Sequence, residues 1–138
     1  MTNDRRRTIA LVAHDGAKST MLDLVERHVA LLASSDLVAT ATTGRLLNEH
    51  FDLNVRCLMS GPLGGDLQIG AMVAEDQLDL VVFLRDPLTA HPHDPDIQAL
   101  MKVCDVHDVP LATNPATAEL CLGALGLAER RRPAAFTA

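Results

Sequence analysis

The sequence predicts an α/β protein: a single domain of three layers (α/β/α) built on a five-stranded, mainly parallel sheet. Three observations support this prediction. The chain of 138 residues is long enough for one domain with its own core. Five short apolar runs alternate with segments of helical periodicity, and the links between them are short. Hydrophobic residues make up 48% of the chain but aromatic ones only 2%, so aliphatic residues and Met must fill the core.

The apolar runs are the predicted strands. The first, Thr8–Ala13, is almost continuously apolar, as expected of a parallel strand covered by helices on both faces. The run from Leu78 to Leu84 has the same character and is the strongest strand prediction. The predicted strands comprise residues 8–13, 37–41, 55–58, 78–84 and 109–112.

Helical periodicity follows each strand. Apolar residues from Met21 to Leu32 recur on one face and predict a single helix after the first strand. A turn at residues 42–44 introduces a short second helix. The glycine-rich loop after the third strand leads into another helix, with Asp66 in its first turn.

The last two helices are predicted to begin with a capping residue followed by proline. Asp94-Pro95 and Asn114-Pro115 both have the residue types favoured at the N-cap and first helical positions. The predicted domain spans residues 1–138. Its polar, basic first segment (1–7) and its last segment (about 129–138) are expected to be flexible tails.

Composition argues against several classes of function. A net charge of −6 and the shortage of aromatic residues disfavour nucleic-acid binding, which needs cations and stacking side chains. The three cysteines are widely spaced and form no zinc or disulfide pattern. We recognise no signal peptide and no apolar run long enough to cross a bilayer. We therefore expect a soluble, cytoplasmic protein without a membrane partner.

Polar side chains concentrate after the strands, at the edge where open parallel sheets bind ligands. Some of them offer an ammonium group, hydroxyls or helix-terminal amides, which can hold a phosphate. These residues are Lys18, Thr40, Thr42, Thr43, Ser60 and Gly61. Three others, Asp66, His14 and His93, can move protons.

Taken alone, each of these residues has a simpler structural explanation. Asp66 can cap its helix, the threonines can cap helices or close turns, and Lys18 can be a solvated charge. Together they suit a phosphorylated carbonyl compound that loses a proton from carbon. Imidazoles and a helix terminus would then hold the enolate charge.

A metal site is an alternative use of the loop that follows the fourth strand. Its candidate ligands are His91, His93, Asp94 and Asp96. The spacing matches no strong metal-binding pattern, and helical periodicity begins at once. We therefore expect no metal and no cofactor.

Six segments of the chain resemble methylglyoxal synthase. They are Val12-Ala13-His14-Asp15, Thr40-Ala41-Thr42-Thr43-Gly44, Ser60-Gly61-Pro62-Leu63-Gly64-Gly65-Asp66, Asp86-Pro87-Leu88, His93-Asp94-Pro95-Asp96 and Ala112-Thr113-Asn114. The resemblance runs in order from about Ile9 to Leu120. The blocks around Asp66 and His93 are its most specific parts.

The resemblance implies a lyase that eliminates phosphate from dihydroxyacetone phosphate to give methylglyoxal, a bypass of glycolysis. It implies that Asp66 takes a proton from C3 and that His93 binds near the carbonyl and hydroxyl oxygens and assists proton transfer. The substrate-binding positions that it implies, besides His93, are His14, Lys18, Thr40, Ala41, Thr42, Thr43, Ser60 and Gly61. Acidic residues that orient the histidines and the catalytic carboxylate would be Asp15, Asp86 and Asp96. The family enzyme needs no metal, is usually a homohexamer, and releases the inorganic phosphate that we expect to inhibit it.

Three departures from the family pattern concern the phosphate site and assembly. Ala41 stands where glycine is expected, and Arg85 stands where an aromatic residue is usual. The C-terminus is short, and the arginine that reaches a neighbouring phosphate site in the family would be one of residues 130–132. The alternative function is a non-catalytic, anion-binding regulatory module of the same fold. Such a module would keep the phosphate clamp but would not need Asp66 and His93.

Overall fold

The computed structural model describes residues 6–128 and contains one five-stranded sheet. The strands are β1 (Thr8–Ala13), β2 (Asp36–Ala39), β3 (Val55–Cys57), β4 (Leu80–Leu84) and β5 (Leu111–Ala112). All neighbours pair in parallel, in the order β3-β2-β1-β4-β5. The predicted α/β fold class is therefore confirmed.

Six α-helices connect and cover the strands within the described residues. They are α1 (Lys18–Arg27), α2 (Val29–Ala33), α3 (Ala41–His50), α4 (Gly65–Ala74), α5 (Asp94–His107) and α6 (Pro115–Ala128). Short 3-10 turns, Asp15–Ala17 and Gly61–Leu63, precede α1 and α4.

Alternating side chains of the central strand build two separate apolar layers. Ile9 and Leu11 pack with residues of α1, α2, α3 and α6 on one face of the sheet. Ala10 and Val12 pack with residues of α4 and α5 on the other face. These β1 residues are all at most 3% exposed, so both faces of the strand are covered, as its continuous apolar sequence predicts.

The strand order creates a crevice where the chain reverses direction across the sheet. From β1 the chain proceeds through β2 to the edge strand β3, and α4 then returns it to β4 on the other side of β1. The carboxyl ends of β1 and β4 therefore lie side by side, and the amide of His14 donates to the carbonyl of Leu84 at 3.1 Å. Ligands of open α/β sheets bind at such a reversal point.

Two predicted elements end elsewhere in the structure. The single helix predicted over residues 21–32 is wrong, because it breaks at His28, whose φ of −122° is not helical. The His28 ring lies 2.5 Å from the carboxylate of Glu119 in α6, and this contact links the residue at the break to the neighbouring helix. The second strand stops at Ala39 rather than at residue 41, because Thr40 is already the N-cap of α3.

The two predicted proline-containing helix starts have different outcomes. Asn114 caps α6 as predicted, since its Oδ1 accepts the amide of Thr117 at 2.9 Å. At α5 the N-cap is His93 rather than Asp94, which is the first helical residue. This shift by one residue places His93 at the very start of the helix.

The predicted tails fall mostly outside the described residues. Residues 1–5 and 129–138 are not described, whereas Arg6 donates to the carboxylate of Asp36 at 2.9 Å and to the carbonyl of Ser35 at 2.9 Å. Within residues 6–128, each helix is too short or too polar to cross a membrane.

Candidate active site

A buried carboxylate and an imidazole face each other at the carboxyl edge of the sheet. Asp66 lies in the first turn of α4, as predicted, and is fully buried. Oδ2 of Asp66 is 3.5 Å from Nε2 of His93, and neither oxygen has a hydrogen-bond partner among the described residues. Burial raises the pKa of Asp66, His93 opposes that rise, and the charge of Asp96 adds to it. A carboxylate in this state is a stronger base than a solvated one.

Gly61 covers this pair with bare backbone. A Cβ at position 61 would lie 3.1 Å from Nε2 of His93 and 3.3 Å from Oδ1 of Asp66. Gly65 is equally constrained, since its Cβ would lie 2.1 Å from the carbonyl oxygen of Met59. The glycines of the loop therefore allow its backbone to pass close to the pair and to its own neighbouring segment.

His14 follows β1 and is held as a neutral hydrogen-bond donor. Its Nδ1 accepts the amide of Asp86 at 3.0 Å, which assigns the proton of the neutral ring to Nε2. That Nε2 is buried and has no partner in the described part of the chain. Burial lowers the pKa of His14 to about 4, with contributions from the charges of His91, His93 and Arg85, while Asp86 opposes the shift.

His91 belongs to the same cluster, although its sequence context suggested only a possible metal ligand. Its ring stacks on His14 with centroids 3.7 Å apart and an interplanar angle of 25°. The centroid of His93 lies 5.6 Å from that of His91. The sequence feature that could have pointed to this role is the second histidine in the loop after β4, because β4 lies next to β1 in the sheet.

The residues at the start of α3 form an adjacent surface suited to an anion. Thr40 is the N-cap, but its side chain makes no capping hydrogen bond within residues 6–128, and the first amides of a helix lack intrahelical acceptors. The amide of Ala41 donates to the carbonyl of Met59 at 3.3 Å, which joins this helix start to the segment that carries Ser60. Thr42 is exposed there.

Thr43 is positioned differently from its neighbours. It is fully buried, and its hydroxyl lies 3.2 Å from the amide and 3.3 Å from the carbonyl of Ala13. This hydroxyl therefore ties α3 to the end of β1. A contact between Thr43 and a ligand would have to come from its backbone amide.

Lys18 also points to the end of β1. Its ammonium group donates to the carbonyl of Ala13 at 2.8 Å and to the carboxylate of Asp15 at 2.9 Å. An ammonium group has three N–H donors, so one remains for a ligand. Asp15 itself is exposed, and Lys18 lowers its pKa through the hydrogen bond.

The other two acidic residues have distinct surroundings. The carboxylate of Asp86 accepts from the amide of Leu88 at 3.2 Å and the hydroxyl of Thr89 at 2.8 Å, so the loop after β4 is closed on itself. Asp86 contacts His14 through its backbone amide rather than its carboxylate. Asp96, in the first turn of α5, acts on Asp66 through its charge.

Comparison with known proteins identifies the group to which this chain belongs. Residues 20–113 match the family model described as MGS-like domain. Over 125 residues the chain is 54% identical to a methylglyoxal synthase of Ralstonia nicotianae, an alignment that covers 91% of this chain and 93% of the relative. The chain belongs to the methylglyoxal synthase family.

Further members of the methylglyoxal synthase family agree in sequence and in structure. The enzyme of Carboxydothermus hydrogenoformans is 56% identical over 117 residues, which cover 85% of this chain and 97% of the relative. The crystal structure of methylglyoxal synthase from Elizabethkingia anophelis NUHP1 superposes with a TM-score of 0.80 at 45% identity, covering 88% of this chain and 79% of that chain. As a member of the methylglyoxal synthase family, the chain is an enzyme.

The residues to which the methylglyoxal synthase resemblance assigns roles all lie at or beyond the carboxyl ends of β1 to β4. Within residues 6–128, no three His, Cys, Asp or Glu side chains come together as a metal-binding group. The candidate arginines of the phosphate site, residues 130–132, lie outside the described residues.

Proposed function

We propose that this protein is a carbon–oxygen lyase that converts dihydroxyacetone phosphate to methylglyoxal and inorganic phosphate. One observation carries the proposal: a fully buried carboxylate, Asp66, lies 3.5 Å from His93 and has no other polar partner in residues 6–128. An anion-binding module of the same fold would have no need for such a carboxylate. The names of the relatives at 54–56% identity support the same reaction.

Asp66 is the proposed base. Its raised pKa brings its proton affinity closer to what carbon deprotonation requires. The proton leaves C3 of the substrate for a carboxylate oxygen of Asp66, and the carbon electron pair forms an enediolate. His93, whose Nε2 is close to that carboxylate, is the proposed group that moves protons to and from the substrate oxygens.

His14 is the proposed stabiliser of the enediolate charge. Its Nε2–H is buried and its Nδ1 is held by the Asp86 amide, so the donor keeps its direction during the reaction. A fixed donor in a site that excludes water stabilises a developing oxyanion more than a solvated one does. The pKa of about 4 keeps this imidazole neutral, so it donates without becoming a competing acid.

The phosphate is proposed to bind at the start of α3, next to Ser60 and Lys18. The uncapped helix start and the third ammonium N–H of Lys18 supply donors for its oxygens. The enediolate then expels the phosphate from C1, and the phosphate takes the electron pair of the broken C–O bond. The hydroxyl at C3 loses its proton, and the three-carbon enol gains one at C1 to give methylglyoxal.

The deciding experiment is an assay of the purified full chain with dihydroxyacetone phosphate in the presence of EDTA and without added metal. We expect equal amounts of methylglyoxal and inorganic phosphate. Phosphate binding without either product would favour the regulatory module instead. Formation of glyceraldehyde 3-phosphate without phosphate release would indicate an isomerase.

The active form is proposed to be a homo-oligomer, a hexamer by family resemblance. Three large apolar side chains, in the segments that carry the proposed site residues, are exposed in a single chain: Leu88 is 95% exposed, Leu63 70% and Leu67 50%. Extensive exposed apolar surface is typical of a protein interface. Light scattering after size-exclusion chromatography would contradict the proposal if it gave the mass of one chain.

The proposed location is the cytoplasm. Cys57, Cys104 and Cys121 are free thiols, as is usual in a reducing compartment. Fractionation of cells that express the untagged full chain would test this, and recovery with the membrane or outside the cell would contradict it.

A further inference from the structure

We infer that His91 is a positioning residue of this site, which holds the imidazole of His14 so that its Nε2–H points at the substrate. The inference rests on the proposed function, because it assumes that His14 contacts substrate. Neither the phosphate set nor the proton-transfer set derived from the sequence contains His91.

The first support is the way in which the His14 ring is enclosed. His91 stacks on it with centroids 3.7 Å apart, and Phe83 approaches at 5.2 Å with an interplanar angle of 80°. His93 forms a second perpendicular contact at 5.5 Å. The Asp86 amide restrains Nδ1 along the ring plane, but it does not prevent the ring from rotating about that bond. The stack with His91 supplies the missing restraint.

The second support is the distribution of unsatisfied polar atoms. Among the described residues, the buried side-chain nitrogens and oxygens without a hydrogen-bond partner number five. They belong to four residues: His14, Asp66, His91 and His93. Buried polar groups are costly to leave unpaired, and such groups concentrate where a ligand is to be bound. His91 is thus part of the same enclosed group as the proposed catalytic residues.

A third feature connects the stack to the chemistry of His14. Because His91 covers one face of the ring, it contributes to the burial that keeps His14 neutral, and its own charge acts in the same direction. The other charged groups near His14 are His93 and Arg85, which also lower its pKa, and Asp86, which raises it. Removing the His91 ring therefore admits water to His14 and removes one of the charges that lower its pKa. The pKa of His14 should rise as a result.

The test compares His91→Ala, which removes the stacking surface, with His91→Phe, which keeps an aromatic face but carries no nitrogen. We expect His91→Ala to lower kcat by about tenfold or more with a smaller change in KM, because a displaced catalytic group costs large factors in rate. His91→Phe should restore most of this loss. Thermal unfolding of both variants controls for a general loss of stability.

The second readout is the ¹⁵N spectrum of His14, assigned by its absence from His14→Gln, and it does not need turnover. In His91→Ala we expect the pKa of His14 to rise from about 4 towards 6.5, with mixed tautomers, whereas His91→Phe should keep the low pKa and the Nε2–H form. If the wild-type protein lacked lyase activity, the proposed function would be wrong. The spectrum would still test whether His91 positions the His14 ring, because it does not depend on turnover. The inference is overturned by an unchanged His14 signal in His91→Ala. Equal loss of kcat in both variants would also overturn it, since a direct contact of the His91 nitrogens would then explain the effect.

Discussion

Nε2 of His93 lies 3.5 Å from Oδ2 of Asp66, and both side chains are buried at the start of their helices. The distance is too long for a strong hydrogen bond, so the two side chains do not satisfy each other's hydrogen-bonding capacity. The carboxylate stays free to accept a proton, and the imidazole stays close enough to pass one on. This separation is the reason to assign the two residues different roles in one reaction.

Replacing the proposed base should abolish turnover without loss of the fold. Asp66→Asn preserves shape and volume but cannot accept the proton from carbon, so we expect kcat to fall by about a thousandfold or more. Inorganic phosphate should still bind, because the proposed phosphate-binding donors, at the start of α3 and on Lys18, do not include Asp66. The measurement is methylglyoxal formation together with calorimetric phosphate titration. Near-normal turnover would remove Asp66 from its role.

The same variant should be more stable than wild type at neutral pH. The folded state raises the pKa of Asp66, so this group stabilises the fold only while it is protonated. That contribution is fully present below the unfolded value of 3.8 and is lost as pH rises through the folded pKa. We therefore expect Asp66→Asn to unfold at higher denaturant concentration than wild type at pH 8, and the difference to disappear near pH 3.5. A variant less stable at pH 8 would contradict this.

The sequence predicted the fold, and it predicted which edge of the sheet would carry most residues of the candidate site. Apolar runs fix the strands, and the rule that ligands bind at the carboxyl ends of parallel strands then collects Asp66, His14 and His93. The break at His28 was missed because it depends on Glu119, which is distant in the sequence. The stack of His91 on His14 was missed for a similar reason, since only the sheet order makes β1 and β4 neighbours.

Details of single side chains were also beyond the sequence. It indicated that Thr43 offers a hydroxyl to phosphate, whereas that hydroxyl contacts the backbone of Ala13. The family resemblance implied that Asp86 helps to orient a histidine, and the contact with His14 is made by the backbone amide of Asp86. In both cases the residue type was informative, but the atom that acts depends on local backbone geometry.

His14 should make stability fall as the solution becomes mildly acidic. Its folded pKa, about 4, is below the unfolded value of 6.5, so protons favour the unfolded chain as pH falls through this window. Wild type should lose on the order of 3 kcal/mol more than His14→Gln between pH 7 and pH 4, because a tenfold change in proton affinity corresponds to about 1.4 kcal/mol. Urea unfolding of both proteins measures this difference. Parallel pH profiles would show that His14 is not buried as a neutral ring.

Free inorganic phosphate should compete with the substrate, because the product phosphate leaves the same donors that bound the substrate. Raising phosphate should increase the apparent KM for dihydroxyacetone phosphate and leave kcat unchanged. Potassium chloride at matched ionic strength controls for simple screening of the ammonium group of Lys18. A rate that does not change over a wide range of phosphate concentrations would contradict a shared phosphate site.

Adding one methyl group at Gly61 should impair the chemical step by displacing Asp66 or His93. A Cβ there would lie 3.1 Å from Nε2 of His93 and 3.3 Å from Oδ1 of Asp66, so either group must shift by a few tenths of an ångström. Proton transfer depends on such distances, and we expect Gly61→Ala to lower kcat about tenfold or more while the protein stays folded. The matched control is Gly123→Ala in α6, where the new Cβ meets no atom of the described residues within 4 Å. That variant should keep full activity and gain about 0.5–1 kcal/mol in the free energy of unfolding, because alanine is the better helix former. Equal activity in the two variants would mean that the Gly61 backbone does not cover the reacting groups.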